Sequence, residues 1–268
     1  MSVIAHVSDS HFGRTRPEVV AALLGELDGR TAPLPTLVAL SGDLTQRARR
    51  AQFRECRAFL NRLTVPYLVV PGNHDVPLFN LWKRFLSPLG NYRDEVTDDL
   101  APTFIDDTIA VAGVATAHGF TVQGGRVTRD QVAAATTALS AATDQWKVIV
   151  AHHPFAGPER AKRDFARGAD AALTAFRAAG VDLILTGHLH VSFSGEDAAM
   201  RDEQHRIVSV HAGTCTSTRT RREPNNYNRI TFAGDDVTVL VRMWNGSAFI
   251  DGKSKTYRRG GAEIRKLT

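Results

Sequence analysis

Ten residues able to hold a metal or move a proton stand in five short clusters. They are Asp9 with His11, Asp43, Asn73 with His74 and Asp75, His152 beside His153, and His188 with His190. Imidazole and carboxylate donors together suit borderline divalent metals such as Zn, Mn, Fe, Co or Ni. The spacings Asp-x-His and His-x-His are useful in an extended chain, where residues i and i+2 point to the same side. One strand end can then present two ligands to one cluster. Carboxylates can also bridge, and so many donors exceed what one tetrahedral ion takes. Two ions about 3.5–4 Å apart are the natural reading.

Each cluster closes a short apolar run rich in β-branched residues: "VIAHVSD", "TLVALSGD", "PYLVVPGNHD", "WKVIVAHHP" and "VDLILTGHLH". Helical patterns lie between them, at 17–27, 49–63, 129–142 and 169–180. Strand–helix alternation predicts parallel strands with crossover helices. In such a sheet the carboxyl ends of the strands line one edge, where ligands bind. Residues far apart in sequence would meet there. Short strands are expected at 103–106 and 109–114, and antiparallel strands after 190. The stripe Leu78, Leu81, Trp82, Phe85 and Leu86 has near-helical spacing and is expected to pack on the core. With no repeat and no linker, residues 1–268 read as a single domain.

Taken singly, the clusters have bland readings. Asp9 could cap a helix, and "SGD" is a common turn. The "GHLH" block is a stronger signal, although an exposed His pair could also produce it. Their joint occurrence, in order and always at strand ends, is what points to a reaction centre.

The blocks "DSH" (9–11), "GD" (42–43), "GNHD" (72–75), "HHP" (152–154) and "GHLH" (187–190) resemble the signature of the calcineurin-like metallophosphoesterases, over about residues 1–195. The resemblance implies an α/β fold, a four-layer α-β-β-α sandwich of two mixed β-sheets, with the strands of 205–268 completing the second sheet. It implies that Asp9, His11 and His190 hold one divalent ion, that Asn73, His152 and His188 hold the other, and that Asp43 bridges them. The ions would be Mn, Fe, Zn or Co. His153 is expected only to pack or to hydrogen-bond. His74 would face the substrate phosphate, stabilise its charge and protonate the leaving oxygen, with Asp75 orienting the His74 ring. A hydroxide bridging the metals would attack phosphorus in line.

Within that family the chain looks similar to bacterial class III cyclic-nucleotide phosphodiesterases and glycerophosphodiesterases. The expected substrate is therefore a small anionic phosphodiester, a cyclic nucleotide or a glycerophosphodiester. Arg219 and Asn225, in a polar segment at 211–232, and His118 are candidate substrate contacts. His6, His205 and His211 are read as structural. Three alternatives stand beside this reading. One is a pyrophosphatase for a nucleotide-linked sugar lipid of the UDP-diacylglucosamine type. Another is a scaffold without catalysis, against which the complete ligand set and His74 argue. The third is a nuclease, for which a continuous basic and aromatic surface is missing.

The bulk properties agree. The 268 residues are 43% hydrophobic with a net charge of +5, too mild by itself for nucleic-acid binding. Two cysteines exclude a disulfide framework. No stretch approaches the roughly 20 apolar residues of a membrane span. Met1 leads into a strand pattern without a basic leader, which predicts a cytoplasmic protein. Exposed edges of the C-terminal strands would permit a homodimer.

Overall fold

The apolar runs form strands whose two faces are both covered. In the computed structural model, which describes residues 1–157, 163–194, 207–220, 223–260 and 263–266, β1 (Ser2–Val7), β2 (Leu37–Ser41) and β3 (Tyr67–Val70) pair in parallel. Helices α1 (Pro17–Leu27) and α2 (Arg50–Leu60) supply the crossovers. A second sheet holds β4 (Thr103–Ile105), β5 (Ile109–Val114), β6 (Trp146–Ala151), β7 (Leu183–Thr186), β8 (Phe193–Ser194) and β9 (Val208–His211). Its crossover helices are α5 (Arg129–Ala138) and α6 (Ala169–Ala178).

Side-chain alternation along each strand builds the layers. On β1, Ile4 joins a core between the sheets that contains Leu37, Val70, Val148 and Leu185. Ala5 and Val7 point the other way, onto Leu23, Leu27 and Phe53 of the first helix pair. Ile149 and Ile184 likewise pack outward on Leu173 and Phe176. Three apolar layers between four structural layers give the α-β-β-α sandwich.

The C-terminal strands depart from expectation. Only β9 joins the second sheet. Strands β10 (Asn226–Ala233), β11 (Asp236–Trp244), β12 (Phe249–Gly260) and β13 (Glu263–Lys266) extend the first sheet, in the order β13-β12-β11-β10-β1-β2-β3. The reason is the free edge of β1. Strand β10 docks on it antiparallel, from Ser2 opposite Phe232 to His6 opposite Asn228. His6 and His211 are buried, and burial pushes each imidazole down to about 3. His205 lies outside the described residues.

The stripe at 78–86 also differs. It forms the six-residue helix α3 (Leu81–Leu86), followed by α4 (Gly90–Glu95). Arg84, not the leucines, faces the protein. Its guanidinium donates to the carbonyls of Pro77 and Thr121, and the side chain is buried. Held by this polar anchor, the helix turns its apolar side outward, with Trp82 79% and Leu86 76% exposed. Among the described residues, no helix is long and apolar enough to cross a membrane.

Candidate metal centre and catalytic cleft

The chain bends sharply where each strand ends. Asp9, His11, Asp43, His188 and His190 all have positive φ, between 49° and 68°. Non-glycine residues adopt this conformation at a cost, and they persist in it where the surroundings hold them. These bends fall at five of the seven candidate ligands, Asn73 and His152 being the other two. Two glycines let the loops close up. A Cβ on Gly72 would lie 2.2 Å from the Asp43 carboxylate, and one on Gly187 would lie 1.8 Å from Ser8 Oγ.

Two ligand groups result. In the first, Asp9 Oδ1 lies 3.7 Å from His11 Nε2 and 3.4 Å from His190 Nε2, and Asp43 Oδ2 lies 3.9 Å from His11 Nε2. In the second, Asn73 Oδ1 lies 3.1 Å from His152 Nε2 and 3.0 Å from His188 Nδ1. Asp43 Oδ1 lies 3.3 Å from His152 Nε2. Thus one carboxylate offers a different oxygen to each group. Among the described residues, Asp9 Oδ1 and His11 Nε2 are buried without a hydrogen-bond partner. Orphaned polar atoms of that kind are costly unless an ion satisfies them. Their separation is too long for a hydrogen bond and fits two donors sharing one cation with bonds of about 2.0–2.2 Å. The donor set therefore fits two divalent ions.

Bonds to the other ring nitrogens aim the imidazoles. Through Nδ1, His152 meets the Ser41 carbonyl at 2.8 Å and His190 meets Thr214 Oγ1 at 2.6 Å. Each therefore presents Nε2 to the centre. Asp9 Oδ2 accepts from Ser8 Oγ and the His188 N–H, which leaves Oδ1 turned inward. Burial pushes His11 and His188 down to about 4, so both are neutral donors near pH 7. For Asp9, burial opposes ionisation, but His190 and His152 outweigh it and hold the carboxyl below its usual range. Burial also disfavours a charged His152, yet the Asp43 carboxylate raises it to about 9. A cation entering there would displace a proton.

His153 is fully engaged elsewhere. Its Nδ1 meets Thr116 Oγ1 at 2.8 Å and its Nε2 meets the Gln123 carbonyl at 3.0 Å. It buttresses the Gln123 loop.

His74 and Asp75 separate more than the sequence predicts. His74 Nδ1 lies 2.9 Å from the Gln46 carbonyl, and its Nε2 lies 3.3 Å from Arg219 Nη1. The Gln46 carbonyl orients the ring. Asp75 does not. The Asp75 carboxylate accepts from the backbone N–H groups of Leu44, Thr45 and Gly72 and from Thr45 Oγ1. It staples the loop after β2 to the loop after β3. The single 3₁₀ turn Asn73–Asp75 sends the two side chains in different directions. Asp75→Ala is accordingly expected to strand three buried N–H groups and cost about 3 kcal/mol or more. Urea unfolding measures this as a lower midpoint. A variant of unchanged stability and impaired turnover would return Asp75 to the role of ring partner.

A cavity of about 400 Å³ opens over the centre, lined by Asp43, Asn73, His74, His188, His190 and Arg219 among others. An adjoining recess of about 200 Å³ shares Asn73, His74, Gln123 and Arg219 and runs toward Leu78, Arg84 and Val122. Two candidate contacts lie outside both. Asn225 is buried and donates to the carbonyls of Thr214 and Ser217, so it shapes the loop that carries Arg219. His118 accepts from the Phe120 N–H and meets Thr121 Oγ1, within the rim loop. Sequence reasoning missed Gln46, because its contribution is a backbone carbonyl, which no residue type signals.

Comparison with known proteins bears on this geometry. The profile described as Calcineurin-like phosphoesterase matches residues 2–192. The chain belongs to the calcineurin-like phosphoesterase family. The calcineurin-like chain is 30% identical over 167 residues to the glycerophosphodiester phosphodiesterase GpdQ of Enterobacter lignolyticus. That alignment spans 57% of this chain and only 56% of the relative. The fold recurs in PhoD, with a TM-score of 0.73 at 12% identity, covering 100% of this chain and 71% of that one. It also recurs in the purple acid phosphatase PPD1 of yellow lupin, with a TM-score of 0.71 at 12% identity over 97% of this chain and 54% of that one.

Proposed function

We propose that the chain hydrolyses small anionic phosphodiesters at a centre of two divalent ions. The observation that carries this reading is the placement of the Asp43 oxygens, one toward each ligand group, with His74 on the same cavity wall. Asp9, His11 and His190 would hold one ion, Asn73, His152 and His188 the other, and Asp43 both. Bound there, two such ions neutralise phosphate charge and bring the pKa of a coordinated water toward 7.

The chain's own residues do the rest. The His74 ring donates Nδ1–H to the Gln46 carbonyl and accepts from Arg219 at Nε2; once Nε2 has taken a proton from water and Arg219 has turned to the phosphate, Nε2 would pass that proton to the departing alkoxide. Arg219, beside that nitrogen, is positioned to take a phosphate oxygen in a charge-assisted bond. An unactivated alkoxide leaving group, as in an alkyl diester, needs that proton. The relative named a glycerophosphodiester phosphodiesterase supports a diester as substrate.

The test is a substrate panel on protein reconstituted in turn with Mn, Fe, Zn or Co. It contains 3′,5′- and 2′,3′-cyclic nucleotides, glycerophosphodiesters, an aryl diester and monoester, and UDP-diacylglucosamine. Preferred turnover of the small diesters is expected. Preferred turnover of UDP-diacylglucosamine would favour the pyrophosphatase. No turnover by protein carrying both ions would point to a scaffold.

Arg219→Ala is expected to raise KM for the best diester about tenfold, the loss of roughly 1.4 kcal/mol of binding, with a smaller change in kcat. A fall in kcat at constant KM would instead assign Arg219 to tuning His74.

A further inference from the structure

The cleft has an apolar rim that the reaction does not use. Phe79, Leu81, Trp82, Phe85, Leu86 and Phe120 are each between 51% and 80% exposed. Other exposed large apolar residues are scattered along the chain, from Met1 to Ile250. Here two segments make one surface. The rings of Phe85 and Phe120 lie 5.8 Å apart, and buried Arg84 bonds the carbonyls of both segments. The recess lined by Leu78 and Val122 leads from this rim to Asn73 and His74. A contiguous exposed patch of this kind marks an interaction surface.

Charge narrows the partner. No Asp or Glu occurs from Val76 to Arg93 or from Val114 to Arg129. Lys83 is exposed on the same short helix, and the Arg47 guanidinium lies 5.5 Å from the centre of the Phe79 ring. In a symmetric dimer the patch would meet its own copy, cation against cation. An anionic lipid surface takes both features at once. Aromatic rings enter the boundary between headgroups and acyl chains, while Lys and Arg lie on the lipid phosphates. We propose that the cleft rim docks on the surface of an anionic phospholipid bilayer, with the cleft mouth toward the headgroups. The rim would dock in this way whichever ester the cleft cleaves.

Tryptophan emission supplies a direct probe. Of the three tryptophans only Trp82 is exposed, since Trp146 and Trp244 are buried. Vesicles of phosphatidylcholine with phosphatidylglycerol are expected to co-sediment with the full chain and to shift its emission to the blue. Phosphatidylcholine alone should bind at least tenfold more weakly, and added salt should release the protein. Lys83→Glu is expected to weaken binding to the mixed vesicles about fivefold or more. The exposed double substitution Trp82→Ser with Phe85→Ser should abolish binding while leaving the far-ultraviolet circular dichroism unchanged. Absence of sedimentation and of any emission shift would overturn the proposal, as would equal affinity for neutral vesicles. A dimer formed without lipid and lost in the double variant, with no vesicle binding, would assign the rim to a second copy and overturn it equally.

Discussion

Asp43→Ala is expected to empty both proposed ion sites and abolish phosphoester turnover, the largest single effect expected in this protein. Each oxygen of the carboxylate faces a different ligand group, at 3.9 Å from His11 Nε2 and 3.3 Å from His152 Nε2. Its charge also sets the protonation of its neighbours. Without it, buried His152 loses the influence that raises it to about 9, and the second group keeps only neutral donors. A dication buried among neutral donors is poorly compensated. Metal analysis of the reconstituted, gel-filtered variant should find well under one ion per chain, with kcat/KM lower by about 10³ or more, in line with the several kcal/mol that metal-ion catalysis supplies. Two retained ions would remove Asp43 from the bridging position. Circular dichroism guards against misfolding, since Asp43 Oδ1 also accepts the His74 N–H.

His74→Ala separates metal binding from chemistry. The imidazole makes no contact with the orphaned ligand atoms beyond an edge-on approach to His11, ring centres 4.8 Å apart. Its nitrogens are occupied by the Gln46 carbonyl and Arg219. Both ions should therefore remain. Turnover should fall by about 10²–10⁴, the range for loss of a positioned acid. The fall should depend on the leaving group. An alkyl diester needs the proton and should lose most, whereas an aryl diester with a stable phenolate should lose least. Equal losses would show that His74 acts by charge on the phosphate rather than by proton transfer. Wild-type rates would remove it from the reaction.

The adjacent residues Asn73, His74 and Asp75 show how far spacing can be read. Their types at a strand end signal ligand, acid and partner, and the chain places all three within one 3₁₀ turn. Which neighbour orients the imidazole is a different matter. A carboxylate next in sequence is the obvious partner, yet the turn points Asp75 back into the N–H groups of Leu44, Thr45 and Gly72. The Gln46 main-chain carbonyl, 2.9 Å from Nδ1, holds the ring, with the Gln46 side-chain amide 3.5 Å from the same nitrogen. Main-chain groups carry no residue-type signal, so such a contact exists only once the fold has formed.

The stripe from Leu78 to Leu86 makes the same point in reverse. Helical periodicity specifies that apolar side chains share a face. It does not specify whether that face meets the core or solvent. Burial of Arg84 decided the matter, through carbonyls supplied by Pro77 and by Thr121 of the adjoining rim loop.

What the sequence determined by itself was the set of strand ends and their donors, because apolar runs and parallel crossovers put Asp9, Asp43 and Asn73 at the carboxyl ends of one set of parallel strands and His152 and His188 at those of another. Only the tertiary structure decided which sheet receives the C-terminal strands, which oxygen of Asp43 faces which ligand group, and that the rim at Trp82 is open. These depend on a free hydrogen-bonding edge at β1, on loop closure over Gly72 and on one buried guanidinium. Each is a contact between distant segments, and short-range pattern does not encode it.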